Sequence, residues 1–234
     1  MVKERYFNMA LVTCLIICLI LGLAPGRAAA KTPQERIDES VKVIREMMGQ
    51  EDAGAMAHVL NNAKGVAIFP SVVKAGFILG GKYGEGLILR RNSSTGKWYG
   101  PSFVNIVGAS WGLQIGAQSI ALVLVVNNER GMDPFLRGDS FKLGGDVAVV
   151  AGPVGRRGEA ATDINLKASI YSYSMSKGLF AGLSLEGAGM KVDENANQVY
   201  WGKPTSPEKA MDTRASKKAI VRLTQELERL MAKD

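Results

Sequence analysis

The runs Ile170-Tyr-Ser-Tyr-Ser-Met-Ser-Lys-Gly-Leu-Phe-Ala-Gly-Leu-Ser-Leu-Glu-Gly187 and Leu143-Gly-Gly-Asp-Val-Ala-Val-Val-Ala-Gly-Pro-Val-Gly-Arg156 decide the fold class of this chain. Each consists of short apolar, β-branched and aromatic stretches cut by glycine, the composition of strands joined by turns. Neither holds a histidine, a cysteine or the Lys-Ser/Thr pair of a phosphate-binding loop. They point to a β body made for binding rather than for covalent chemistry.

The pattern continues outward. Val66 to Phe69, Lys74 to Arg91, Lys97 to Val107, Gly112 to Val126, Ser140 to Ala151, Asp163 to Ser174, Leu179 to Gly187 and Gln198 to Trp201 read as strands. Their separators are Asn92-Ser-Ser-Thr-Gly96, Asn127-Asn-Glu-Arg-Gly131, Gly152 to Glu159 and Asp193-Glu-Asn-Ala-Asn197. Two runs exceed the usual strand length, which predicts bends or bulges at Gly80-Gly81 and Gly84-Glu85-Gly86. Short connections without helical crossovers predict antiparallel pairing.

Helices flank this body. Thr32-Pro33-Gln34-Glu35 has the form of a capping box with proline at the first helical position. Ile37, Val41, Ile44 and Met48 then recur on one face until Gly49. Asp52 to Ala63 predicts a second, shorter helix. Ser206 and Pro207 open a third, along which Met211, Ala215, Ala219, Leu223, Leu227 and Leu230 make one apolar stripe. The expected fold is α+β: a curved antiparallel β-sheet, barrel-like or sandwich-like, with two N-terminal helices and a long C-terminal helix packed on it.

The N-terminus reads as a secretory signal over residues 1–30: Lys3 and Arg5, an apolar run from Ala10 to Ala24, then Ala28-Ala29-Ala30. That run is shorter than the roughly 20 residues of a spanning helix. An uncleaved anchor and lipid attachment at a cysteine are the lesser alternatives. Residues 31–234 then form one domain, with a helical part at 31–63, a β body at 64–203 and the closing helix at 206–233. Cys14 and Cys18, the only cysteines, fall in the signal, so the mature chain has no disulfide or thiol chemistry. Losing Lys3, Arg5, Arg27 and Glu4 takes the formal charge from +7 to +5. That balance suits an anionic surface. Nucleic acid is not expected as a partner, because no basic cluster exceeds two residues. The expected location is periplasmic or secreted, peripheral on a membrane.

The two opening blocks are joined by Lys64-Gly-Val-Ala-Ile-Phe-Pro70, Gly100-Pro-Ser-Phe103, Gly112-Leu-Gln-Ile-Gly-Ala-Gln118 and Asn197-Gln-Val-Tyr-Trp-Gly202. Together they resemble the SYLF domain family over most of residues 64–202. The resemblance implies a non-enzymatic lipid-binding module, known from bacterial secreted proteins and from eukaryotic proteins of the cortical actin and endocytic machinery. Some eukaryotic relatives bind phosphoinositides through a basic amphipathic N-terminal helix together with the domain body. The matching helix here carries Glu35, Asp38, Glu39 and Glu46 against Lys42 and Arg45, which argues against that helix as the attachment point. Export sets actin aside as a partner.

Arg156 and Arg157 sit on the glycine-rich loop Gly152 to Gly158, and guanidinium forks match the phosphate oxygens of a lipid headgroup. Arg90, Arg91, Lys97 and Trp98 bracket a second turn, where basic charge attracts headgroups and an indole suits the membrane boundary. With Lys177 they make the expected lipid-binding set. Both turns also read as ordinary solvated loops.

His58 is the only histidine, which disfavours a Ser-His-acid triad and a zinc or copper site. Asp133, Asp139, Asp146 and Asp163 offer no recognisable pair for hydrolysis. Asp193 to Asn197 has the acidic character of a calcium loop but not its central glycine or terminal glutamate, and reads as a turn. No cofactor or metal is expected. The expected function is binding of anionic phospholipid or phosphoinositide-like headgroups through basic loops. Two other readings stand behind it: an envelope-maintenance protein that binds a protein partner, and a hydrolase with converging carboxylates.

Overall fold

A computed structural model of the chain describes residues 30–50, 53–152, 168–176, 179–180, 185 and 187–234, with only the backbone of 75–79, 110–117 and 179–180. The chain divides into two compact units, Met1–Lys31 and Thr32–Asp234, and the second carries the fold. Its elements are α1 (Pro33–Met48), α2 (Ala53–Asn61), β1 (Gly65–Arg91), β2 (Trp98–Val126), α3 (Glu129–Arg137), β3 (Phe141–Lys142), β4 (Val149–Ala151), β5 (Ile170–Ser176), β6 (Leu179–Phe180), β7 (Gly189–Val192), α4 (Glu194–Trp201), α5 (Pro207–Asp212) and α6 (Lys218–Met231).

The α+β class, the curled sheet and the N-terminal helices are as the sequence predicts. The capping box is present too: Thr32 Oγ1 accepts from the Glu35 N–H at 3.2 Å, and Glu35 Oε2 accepts from the Thr32 N–H at 2.8 Å. Strand β2 is the spine of the sheet. It pairs β1 along its length, β7 over Val104–Val107 and β5 over Ala121–Val126, all antiparallel. One pairing departs from expectation, because β4 runs parallel to β5.

Four predicted runs merge into two strands of 27 and 29 residues. Register shifts interrupt their pairing at Phe69/Val72, Gly76/Ile78 and Ile88/Arg90, none of them at Gly80-Gly81 or Gly84-Glu85-Gly86. The bending is strong enough to bring the two ends of β1 together. The Arg91 N–H donates to the Lys64 carbonyl at 2.8 Å, and a Cβ on Gly86 would collide with the Ile68 carbonyl oxygen. Glycine is required there by space.

Both faces of the sheet are covered. On one, Val66, Ile68, Leu87, Leu89, Val123 and Val125 pack against Ile44, Met56, Leu60, Leu223, Leu227 and Leu230 of α1, α2 and α6. On the other, alternate positions such as Ala67, Phe69, Ile88 and Leu124 meet Met132 and Phe135 of α3 and Met211 of α5. Burial on two sides accounts for the uninterrupted apolar run Ala121 to Val126.

Four predicted segments fold differently. Ser140 to Ala151, expected as one strand, splits into β3 and β4 around a turn at 144–146. Asn127 to Gly131, expected as a turn, instead starts α3, whose Asn128 side chain accepts from the Gly131 N–H at 2.9 Å. Asp193 to Trp201, expected as a turn and a strand, is α4 with Asp193 as its N-cap. The closing span 206–233 is two helices, because Thr213–Ala215 leaves the helical path to pair with β2.

Candidate functional site

The turn between β1 and β2 is organised by Asn92. Its Oδ1 accepts from the N–H groups of Ser94 (3.0 Å) and Thr95 (2.9 Å) and from the Thr95 hydroxyl (3.0 Å), while the Asn92 N–H donates to the Lys97 carbonyl. An asparagine closing a turn on its own backbone in this way fixes where the flanking residues leave it.

Those flanking residues separate into two groups. Arg91 turns inward, donating to the Asn61 carbonyl at 2.5 Å and lying 5.9 Å from the centre of the Trp98 ring. Burial pulls its guanidinium below the ordinary value. Trp98 is 3% exposed and belongs to the core under the helices, so its indole is not presented at a surface. Lys97 is exposed. Arg90 stays at the surface, its Nη1 2.7 Å from Asp212 Oδ1. Arg156, Arg157 and Lys177 lie outside the described residues.

The fold adds cations that the sequence alone places elsewhere. Arg214 bridges to Tyr99, the Gly100 N–H donates to the Thr213 carbonyl at 2.9 Å, and the Ala215 N–H to the Trp98 carbonyl at 3.3 Å. Tyr99 has Arg90 opposite it on its other side. Directly opposed residues share a face of a sheet, so Arg90, Tyr99 and Arg214 form a row across three adjacent segments. Lys97 lies just before β2 and is exposed. Lys217 follows, donating to the Tyr200 carbonyl with its ammonium 3.9 Å from the Tyr200 ring centre and 5.9 Å from that of Trp201. Lys218 is exposed beside it. Nothing in Thr213-Arg-Ala-Ser216 signals a helix break; the free edge of β2 claims those backbone groups.

Beside this row opens a cleft of about 360 Å³ lined by Arg90, Ser93, Ser94, Tyr99, Met211 and Asp212, among others. Hydroxyls and a guanidinium around one polar space are donors for an oxyanion.

The other candidate chemistry resolves into structure. His58 Nδ1 lies 3.1 Å from Asp234 Oδ1. Asp139 pairs with Arg137, Asp146 accepts from the Lys142 N–H, and Asp163 is outside the described residues. Asp193 caps α4 and pairs with Arg36 at 2.8 Å. Among the described residues no group of three His, Cys, Asp or Glu is placed to hold a metal ion, and no helix is long and apolar enough to cross a membrane.

Residues 107–230, from the middle of β2 to the end of α6, match the family described as Ysc84, Las17-binding protein actin regulator. The chain belongs to the Ysc84 family. The vertebrate relatives named SH3 domain-containing YSC84-like protein 1 include the Bos taurus protein, 38% identical over 168 residues covering 70% of this chain and 49% of its own. Protein YSC84 of Saccharomyces cerevisiae is 39% identical over 147 residues, covering 62% of this chain and 31% of its own. The chain thus spans about half the length, or less, of these relatives. Arg214, Lys217 and Lys218 fall within the family match, whereas the Asn92–Lys97 turn precedes it.

Proposed function

We propose that this protein is a non-enzymatic, exported lipid-binding member of its family that engages anionic phospholipid headgroups. The pairing of Arg90 and Arg214 across Tyr99 carries this reading: cations from two distant parts of the chain meet at one sheet edge, with exposed Lys97 just before β2 and Lys217 and Lys218 just after Arg214 in the chain. Polybasic surfaces are attracted to anionic membranes by about 1 kcal/mol per Lys or Arg near the surface. Arg156, Arg157 and Lys177 remain part of the proposed set. Phosphoinositide-like headgroups belong to the same ligand class.

Co-sedimentation with phosphatidylcholine vesicles, with and without phosphatidylglycerol, tests this. Binding only to the anionic vesicles, lost at high salt, is expected. Equal binding to both, or to neither, contradicts it. Replacing Arg156 and Arg157 together by alanine is expected to weaken binding by roughly 2 kcal/mol, about 30-fold. Export is tested by intact mass of the protein from its native envelope fraction, which should begin at Lys31; retained Met1 means an anchor instead.

A second reading, a protein partner in the envelope, is favoured by one observation. Val199 is 70% exposed on α4. Nearby, a groove of about 530 Å³ is lined by Arg137, Val192, Gln198, Pro204 and Pro207, among others. Binding of a partner that survives Val199→Asp contradicts this reading.

A further inference from the structure

Arg90 enters the headgroup cleft already engaged. Its Nη1 is 2.7 Å from Asp212 Oδ1, and the two side chains are 35% and 60% exposed. Lys64 is engaged similarly, bonded to Ser93 Oγ at 2.6 Å and 3.6 Å from Glu129 Oε1. Glu129 and Asp212 both line the cleft, so its cations are offset from within. An ion pair this exposed contributes little net stability and yields to an anion of greater charge.

We infer that Asp212 sets the ligand specificity of this cleft: its carboxylate occupies Arg90 as an internal counter-ion that a phosphomonoester displaces and a phosphodiester does not. This rests on the anionic-headgroup reading above. A phosphomonoester carries about −1.5 to −2 charges at neutral pH with three acceptor oxygens, and so outcompetes a carboxylate for a guanidinium fork. A phosphodiester, with one negative charge like the carboxylate, gains little from the exchange. Ser93, Ser94 and Tyr99 supply hydroxyl donors for the additional oxygens.

The test compares vesicles carrying phosphatidic acid with vesicles carrying phosphatidylglycerol at matched surface charge. Wild-type protein should prefer phosphatidic acid. Asp212→Asn frees one cation and should raise affinity for phosphatidylglycerol about fivefold, with a smaller gain on phosphatidic acid, narrowing the preference. Glu208→Gln, an exposed charge loss on the same short helix, controls for long-range repulsion and should move both lipids equally and less. In an Arg90→Ala background Asp212→Asn should add nothing beyond that control. Titration with inorganic phosphate alone separates a free anion from a lipid as the source of the group: saturable shifts at Arg90 point to the former, none to the latter. If Asp212→Asn and Glu208→Gln behave alike on phosphatidylglycerol, Asp212 has no specificity role and the lipid reading stands. If wild type binds neither lipid, the lipid reading itself falls.

Discussion

Arg36 and Asp193, 157 positions apart in sequence, form a 2.8 Å ion pair that fastens α1 to the junction of β7 and α4. The arginine is 2% exposed and also lies 3.3 Å from Glu85. Burial alone would raise the Asp193 carboxyl, but the Ala196 N–H and the Arg36 guanidinium outweigh it and hold the group below its ordinary value. A carboxylate depressed in this way stabilises the fold above the unfolded-state value, near pH 4, and that stabilisation is lost as pH falls through the folded-state value. Arg36→Ala removes the buried cation between two largely buried acids, although Asp193 keeps the Ala196 N–H and the Asn105 amide. It should therefore cost less, in denaturant unfolding, than the ~3–5 kcal/mol of a fully buried broken pair. Asp193→Asn should flatten the acid limb of a stability-against-pH curve. An acid limb identical to wild type would show that the pair does not hold α1.

Gly86→Ala tests the folding of β1 upon itself. The added Cβ would collide with the Ile68 carbonyl oxygen and meet the Phe69 ring at 2.6 Å, and backbone on one side cannot yield cheaply. Overpacking of this kind costs about 1–3 kcal/mol. A thermal midpoint equal to wild type would mean that the two ends of β1 are not in contact.

Leu227 is fully buried between α6 and the sheet. Leu227→Asp places a carboxylate there, and burying even an uncharged polar group without a partner costs roughly 2–7 kcal/mol. Its thermal unfolding should fall far below wild type. An unchanged midpoint would mean that the apolar stripe of α6 faces outward.

Local signals with a local cause were readable in the chain. The Thr32–Glu35 box and the Leu223, Leu227, Leu230 stripe needed only neighbouring residues, and both appear in the structure. Segments decided by partners distant in sequence were not readable. Asp193 looks like a turn residue until its carboxylate is seen capping Ala196 and pairing with Arg36. Thr213–Ala215 looks helical until β2 offers it hydrogen bonds. The site follows the same division. Paired arginines at 90 and 91 mark a basic turn, but the inward turn of Arg91 and Trp98 depends on Asn61 and on the core. Arg214 joins Arg90 only through the sheet edge.

The most direct measurement of the central proposal is vesicle binding by a triple variant, Lys97→Ala, Arg214→Ala and Lys218→Ala, which leaves the Lys217 contact with Tyr200 in place. At about 1 kcal/mol per cation, affinity for phosphatidylglycerol vesicles should drop on the order of 100-fold at low salt, with the thermal midpoint preserved. The difference should shrink as salt shortens the Debye length from about 10 Å at 0.1 M to about 3 Å at 1 M. A folded triple variant that binds anionic vesicles as tightly as wild type would contradict the assignment of lipid binding to this basic edge.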